Sequence, residues 1–246
     1  MLAWELDDDA NVDDARVVKR VNPASWITVE QLRHARVALP DLAYRRFVGN
    51  QWTERAGHWL PPGAWQRVVG EPAIAEGEEI WIVVDVGGGG QQGDTAVCWV
   101  SEQLRVGVEV LEGEGAELDA LDLIRELGGR YRVREVAFDP WRASTIASVL
   151  EREGVTCTAF PQTDARMIPA STALHRAVVE RRLCVPDHPT LAQHAANAVA
   201  RQTRRGWRLD RPSRAAGLNI DAIIALAMAV DAAENQPQAT ELLGWL

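Results

Sequence analysis

The pattern of hydrophobic and polar positions changes near residue 80, where long apolar runs replace a mixed N-terminal segment. Residues 80–86 form one apolar run that contains Asp85, and residues 95–100 and 106–111 form two more mainly apolar runs. Apolar runs of this length, bounded by glycine and polar residues, indicate β-strands. The turn at 101–105 and the long glycine-rich turn at 87–93 predict that these three strands form an antiparallel meander.

Helical and strand patterns alternate after this meander. Shorter apolar runs predict strands at 133–138, 155–160 and 183–185, and a hairpin formed by 200–203 and 207–209. Apolar residues at helical spacing predict five helices, at 118–127, 143–153, 166–182, 190–199 and 220–233. Capping residues are predicted at the ends of three of these helices. Gly128-Gly129 and Gly154 follow the first two helices, and Asn219 precedes the last. Pro169 leaves open whether the third helix begins only after it.

Three antiparallel strands followed by helix–strand–helix–strand predict an α/β, RNase H-like fold. Its central mixed sheet would contain the three antiparallel strands and then parallel strands, with helices on both sides. Residues 76–246 would form this domain, and residues 1–75 an N-terminal helical or irregular extension. In the extension, Thr28 and Gln31 have the spacing of a capping box. The tryptophans at 52, 59 and 65 would fix the extension to the domain by burying surface.

Three aspartates lie at the ends of strongly apolar elements. Asp85 ends the first strand, Asp139 ends the strand that follows the first helix, and Asp221 opens the last helix. The fold would bring the tips of the two strands together and let the last helix deliver Asp221. Several carboxylates at one apolar site are commonly compensated by a pair of hard divalent metal ions. Alternatively, Asp139-Pro140 is an ordinary turn at the end of a strand, and Asp221 is an acidic residue that the helix dipole favours at a helix N-terminus.

The net charge of the 246 residues is −9, which by itself argues against nucleic-acid binding. The sign reverses locally, however, because the arginines at 201, 204, 205, 208, 211 and 214 are opposed only by Asp210. Arg201, Arg204, Arg205 and Arg208 are therefore candidate contacts to a phosphate backbone, although a strand hairpin can carry arginines simply as a solvated edge.

Other residues narrow the class of protein. No apolar run reaches the ~18 residues that a membrane span needs, and the N-terminus has no signal-peptide pattern. The three cysteines have no paired spacing and indicate reduced, buried thiols. The five histidines lack zinc-ligand spacing, and His188 and His194 are expected at the surface.

With these residues in place, the chain resembles the C-terminal nuclease domain of the large terminase subunit of tailed bacteriophages. The resemblance covers nearly the whole chain, including Val21-Asn22-Pro23 and the stretch from Arg46 to Trp52. Within the domain it is carried by sequence segments that occur in the expected order: Ile82-Val83-Val84-Asp85 with Asp94-Thr95-Ala96-Val97, Val136 to Trp141, Pro161-Gln162, Met167 to Ala170, and Asn219 to Ala229.

The resemblance implies a metal-dependent endonuclease that cuts concatemeric double-stranded DNA during genome packaging. It implies two Mg²⁺ or Mn²⁺ ions held by Asp85, Asp139 and Asp221. Asp94 would be an additional metal ligand or a residue that holds one of the ligands in place. It also implies the terminase small subunit and the portal as partners, and a location in the host bacterial cytoplasm, transiently at the procapsid portal. An ATPase motor would have to be separate, because Lys19 is the only lysine and no GxxxxGK[ST] loop is present.

Two other functions stay open at this point. An actin-like ATPase or sugar kinase also places an Asp and a glycine-rich turn between two strands, as in 85–95, but its second phosphate loop and adenosine motif are missing here. A non-catalytic packaging module that keeps the fold for docking would not need all three aspartates.

Overall fold

The computed structural model describes residues 4–7, 10–52, 56–87, 94–212 and 218–235. Most of the glycine-rich turn at 87–93, and Arg214, therefore lie outside the described residues. Within them, a five-stranded mixed sheet has the strand order β4-β3-β2-β5-β6. Its strands are β2 (Glu79–Asp85), β3 (Thr95–Ser101), β4 (Val106–Leu111), β5 (Arg132–Phe138) and β6 (Cys157–Ala159). The first three pair antiparallel, and β5 and β6 continue the sheet in parallel. The chain thus has the RNase H-like topology that its element order predicts.

Helices cover both faces of this sheet. The alternation of side chains along a strand sends successive residues to opposite faces. Ile80, Ile82 and Val84 pack on one side in a core with α4 (Ala116–Arg130) and α5 (Ser144–Arg152). Trp81 and Val83 pack on the other side, where three helices of the domain contribute to the core. These helices are α6 (Asp164–Val179), α7 (Pro189–Asn197) and α8 (Asp221–Glu234).

The N-terminal part contains α1 (Ala15–Lys19), α2 (Val29–Ala38) and α3 (Asp41–Phe47), which enclose a small core of their own. Thr28 and Gln31 form the predicted capping box, with reciprocal hydrogen bonds of 2.8 and 3.2 Å. This part continues into β1 (Ala56–His58), which pairs with β7 (Val199–Gln202), and β7 pairs with β8 (Trp207–Asp210) in the predicted hairpin. The division of the chain at residue 75 stays a prediction.

Of the three tryptophans expected to fix the extension, two do so. Trp59 and Trp65 are buried in the main core, and Trp59 Nε1 donates a 2.8 Å hydrogen bond to the carbonyl of Ala195 on α7. Trp52 does not, because 94% of its surface is exposed. The prediction was wrong for Trp52, which lies in a loop with its side chain in solvent.

Several predicted helix ends were also wrong. Helix α4 passes through Gly128 and Gly129 to Arg130, and α6 begins at Asp164 with Pro169 inside it. Burial explains the second case, because Met167 and Ala170 face the core on either side of the proline. None of the helices in the described residues is both long and apolar enough to cross a membrane.

Candidate active site

Three carboxylates from three elements line one cavity of about 500 Å³. Asp85 is the last residue of β2, Asp139 follows β5, and Asp221 is the first residue of α8. All three are almost fully buried, at 5%, 7% and 6% exposure. The rest of the lining described here consists of Val86, Arg142, Gln162, Arg208, Leu209, Asp210, Arg211, Ile220 and Ile224. The predicted meeting of the three aspartates at one place is therefore present in the structure.

Strand geometry explains why the first two carboxylates meet. Strands β2 and β5 are parallel neighbours with Val84 opposite Phe138, so the next residue of each strand reaches the same edge of the sheet. Side chains alternate along both strands, and Val83 and Ala137 both belong to the core beneath α8. Asp85 and Asp139, two residues further along, therefore point to the face that α8 covers, where Asp221 begins the helix.

Burial and the neighbouring carboxylates make ionisation of Asp85 costly. Burial raises the pKa of Asp85 to about 8, and the charges of Asp221 and Asp139 add to this effect, while Gln162 and Arg142 oppose it. Burial likewise raises the pKa of Asp221, against the opposing charge of Arg211. An added positive charge would therefore stabilise the ionised forms of Asp85 and Asp221.

The donor atoms suit a divalent cation. Asp221 Oδ2 is buried and has no hydrogen-bond partner among the described residues, which is costly for a carboxylate oxygen. Carboxylate oxygens are the ligands that Mg²⁺ and Mn²⁺ prefer. As they stand, the His, Cys, Asp and Glu side chains of the described residues form no group of three that is ready to hold a metal ion. The site thus offers the right atoms and charge rather than a closed set of ligands.

Gln162 is a site residue that the sequence marked only as part of the Pro161-Gln162 segment of the resemblance, without a chemical role. Its Nε2 donates a 2.9 Å hydrogen bond to Asp85 Oδ1. Arg208 holds this residue in turn, because its guanidinium donates a 2.9 Å bond to the Gln162 carbonyl and pairs with Asp164 at 3.3 Å. A glutamine in a loop has no periodicity that indicates a role, so its contact with Asp85 becomes visible only in the structure.

Arg142 and Arg211 also belong to the cavity and were not predicted as site residues. Arg211 pairs with Asp221 Oδ1 at 3.0 Å, and Arg142 donates to the carbonyl of Val86 at 3.4 Å. Both place positive charge beside the carboxylates. A phosphate group that entered the cavity would meet these two guanidinium groups and that of Arg208.

The four arginines predicted to contact DNA do not form one cluster. Arg208 lines the cavity, whereas Arg201 forms an ion pair with Asp210 across the β7–β8 hairpin. Arg204 and Arg205 are exposed at the turn of that hairpin. The arrangement puts one arginine of the hairpin at the carboxylates and leaves the two at its tip accessible to a long ligand.

Asp94 lies behind Asp221 rather than in the cavity lining. Its Oδ2 accepts a 2.9 Å hydrogen bond from Asn219 Nδ2 and lies 3.4 Å from His194 Nε2. Two predictions were wrong here. Asn219 does not cap α8, because Ile220 occupies the N-cap position and the Asn219 side chain is bonded to Asp94. His194 is not at the surface but only 3% exposed, because α7 packs against α8.

No protein-family model and no curated protein sequence matches this chain. Solved structures do resemble it. The large terminase of bacteriophage HK97 has a TM-score of 0.61 and 19% identity, over 93% of this chain and 56% of the terminase. The large terminase nuclease domain of Thermus phage P74-26 has a TM-score of 0.53 and 17% identity, over 70% of this chain and 95% of the domain. The large terminase nuclease of thermophilic phage G20c with bound magnesium has a TM-score of 0.50 and 16% identity, over 68% and 94%.

These similarities establish the fold. The chain has the RNase H-like fold of phage large terminase nucleases, and it spans little more than half the length of the HK97 large terminase.

Proposed function

We propose that this chain is the nuclease part of a tailed-bacteriophage large terminase, a metal-dependent endonuclease that hydrolyses phosphodiester bonds of double-stranded DNA during genome packaging. One observation carries the proposal: three buried carboxylates, from β2, the end of β5 and the start of α8, share one cavity. The fold supports it, because the same fold serves phage terminase nucleases.

Asp85, Asp139 and Asp221 are proposed to hold two divalent ions, Mg²⁺ or Mn²⁺. The G20c nuclease, which is similar in fold, is known with bound magnesium. Such ions supply Lewis acidity that activates a water and stabilises the leaving oxygen of a phosphodiester. The unpartnered Oδ2 of Asp221 and the raised pKa of Asp85 both support a site that favours added positive charge.

The remaining residues of the cavity orient and balance these carboxylates. Gln162 fixes one oxygen of Asp85, so that the other oxygen keeps its direction. Arg211 neutralises part of the charge of Asp221 while no cation is bound. Arg142, Arg208 and Arg211 would attract the backbone phosphate of a substrate to the cavity mouth.

The arginines of the hairpin are proposed to hold the DNA backbone beyond the cavity. Arg204 and Arg205 at the tip are the accessible members, and Arg201 and Arg208 lie along the strands behind them. Contacts of this kind position a duplex without reading its sequence. With a net charge of −9, the chain would bind DNA through this local surface rather than through its overall charge.

The proposed partners follow from the same assignment. A terminase nuclease works with a small subunit, a portal and an ATPase motor, in the host bacterial cytoplasm and at the procapsid. This chain has no GxxxxGK[ST] loop, so an ATPase activity would have to be supplied by another polypeptide or segment.

The test is cleavage of supercoiled plasmid by the purified chain with Mn²⁺, with Mg²⁺ and with EDTA. We expect metal-dependent nicking and linearisation that is lost in Asp85→Asn. Asp231→Asn is the matched control, because Asp231 is equally buried but lies ten residues beyond Asp221 on α8 and outside the cavity. Folded protein that cleaves with neither metal would favour a docking module, and an active Asp85→Asn variant would refute the assigned site.

A further inference from the structure

The first turn of α8 is capped from outside the helix. The N-cap residue, Ile220, has no side-chain group that can bond the free amides of this turn. Instead, His194 of α7 supplies the acceptor, because the backbone N–H of Ala222 donates a 3.1 Å hydrogen bond to its Nδ1. The residue thus held is the immediate neighbour of Asp221.

The other ring nitrogen of His194 meets Asp94. Since Nδ1 accepts a hydrogen bond, the ring proton of a neutral imidazole lies on Nε2, which is 3.4 Å from Asp94 Oδ2. The same Asp94 oxygen accepts the 2.9 Å bond from Asn219, and the negative charge of Asp94 acts on the carboxylate of Asp221. Asp94 therefore links His194 of α7 to Asn219, which lies in the segment immediately before α8.

Ala222 also forms a hydrogen bond with the central sheet. The thiol of Cys98, buried in β3, donates to the carbonyl of Ala222 at 3.5 Å. Ala222 is thus bonded through its amide to α7 and through its carbonyl to β3. The backbone that carries Asp221 has little freedom to move while these contacts persist.

We infer that Asp94 and His194 form a positioning pair that fixes the carboxylate of Asp221 at the cavity. This rests on the proposed function in so far as Asp221 is a metal ligand. Neither residue lines the cavity, so neither is proposed to touch metal or substrate. Hydrogen bonds from outside the ligand set hold metal ligands in their orientation, and their loss typically weakens metal binding about 10- to 100-fold.

The test uses the full chain without DNA and measures its affinity for Mn²⁺ by titration calorimetry. We expect His194→Ala to weaken this affinity about 10- to 100-fold. His194→Asn should recover part of the loss, because its amide oxygen can still accept the Ala222 N–H. The matched control is His188→Ala, which removes a different histidine cap, the one that accepts from Leu191 N–H at the start of the same helix.

Equal Mn²⁺ affinity in His194→Ala and wild type, with a loss of thermal stability like that of His188→Ala, would overturn the positioning role. A wild-type chain that binds no Mn²⁺ would instead refute the proposed function. In that case, hydrogen exchange at the Ala222 amide decides the inference. Faster exchange in His194→Ala but not in His188→Ala supports the pair, and unchanged exchange overturns it.

Discussion

Gln162 donates a 2.9 Å hydrogen bond to Oδ1 of Asp85, a residue 77 positions earlier in the chain. The bond favours the ionised carboxylate, and so it opposes the burial that raises the pKa of Asp85 to about 8. The loop after β6 thereby influences the protonation of Asp85, one of the three proposed metal ligands.

Replacement of Gln162 by Ala should therefore shift the pH dependence of cleavage. Without the hydrogen bond, the pKa of Asp85 rises further, so protons compete with metal ions up to a higher pH. We expect the acid limb of the cleavage rate to move to higher pH, as measured with Mn²⁺ at fixed concentration. Gln193→Ala, at an exposed amide of α7, is the control and should leave the profile unchanged. A profile that does not move in Gln162→Ala would contradict this role.

The stability of the metal-free protein should depend on Asp85. Its pKa is about 8 in the folded state against an ordinary 3.8, so the folded state retains a proton that the unfolded chain releases. Stability from this group is therefore lost as the pH rises from about 4 to about 8. Asp85→Asn removes this loss of stability. The change that it causes in the free energy of unfolding should therefore be more favourable at pH 8 than at pH 5, by about 1 kcal/mol or more.

Urea unfolding in EDTA at both pH values measures this difference. Asp119→Asn, at an exposed position of α4, should change stability equally at the two pH values. If Asp85→Asn behaves in the same way as that control, Asp85 is already ionised at neutral pH without metal.

The hairpin tip should contribute to DNA binding through charge alone. Each arginine that contacts a phosphate adds about 0.9 to the slope of log affinity against log salt concentration, so Arg204→Ala/Arg205→Ala should lower the slope by roughly 2. Binding of a duplex oligonucleotide in EDTA, over a range of salt, gives the slope. The control is Arg132→Ala/Arg134→Ala, because both are exposed at the end of β5 that lies away from Asp139. Equal slopes for the two double variants would exclude the tip as a DNA contact.

His175 should limit stability at acid pH. Its ring is buried edge-on against Trp207 at 5.6 Å, and neither ring nitrogen has a hydrogen-bond partner in the described part of the chain. Burial lowers its pKa to about 4. Below about pH 6.5, the unfolded chain therefore binds a proton that the folded state does not bind. Stability is therefore lost as the pH falls from about 6.5 to about 4.

His175→Phe keeps the aromatic contact and removes the titration. We expect it to stabilise the protein more at pH 5 than at pH 8, with a difference of about 2 kcal/mol in the free energy of unfolding. His34→Phe, on the exposed side of α2, is the control. A gain that is the same at both pH values would indicate a packing effect instead.

The order of the elements and the residues at their tips could be predicted because they depend on local patterns. Apolar runs identified β2 and β5, and the parallel pairing that the fold requires then put Asp85 and Asp139 at one edge. The alternation of side chains further determines that both face α8, which carries Asp221. The three carboxylates of the candidate site were therefore accessible from the sequence.

Helix ends were less accessible, because packing decides them. Pro169 is a poor helix residue, yet α6 includes it because Met167 and Ala170 are buried against the core. Asn219 has the right side chain for a cap, yet it bonds Asp94, which lies 125 positions away. In both cases a tertiary contact outweighed a local preference.

By itself, the sequence determined the RNase H-like order of strands and helices and the three aspartates at their ends, since periodicity and strand direction act over a few residues. The tertiary structure alone decided which neutral and basic groups support those aspartates. Gln162 reaches Asp85, Arg211 reaches Asp221, and His194 holds the amide of Ala222. These contacts join loops and helix ends whose separation in space no local pattern encodes, because they exist only after the sheet and its covering helices have packed.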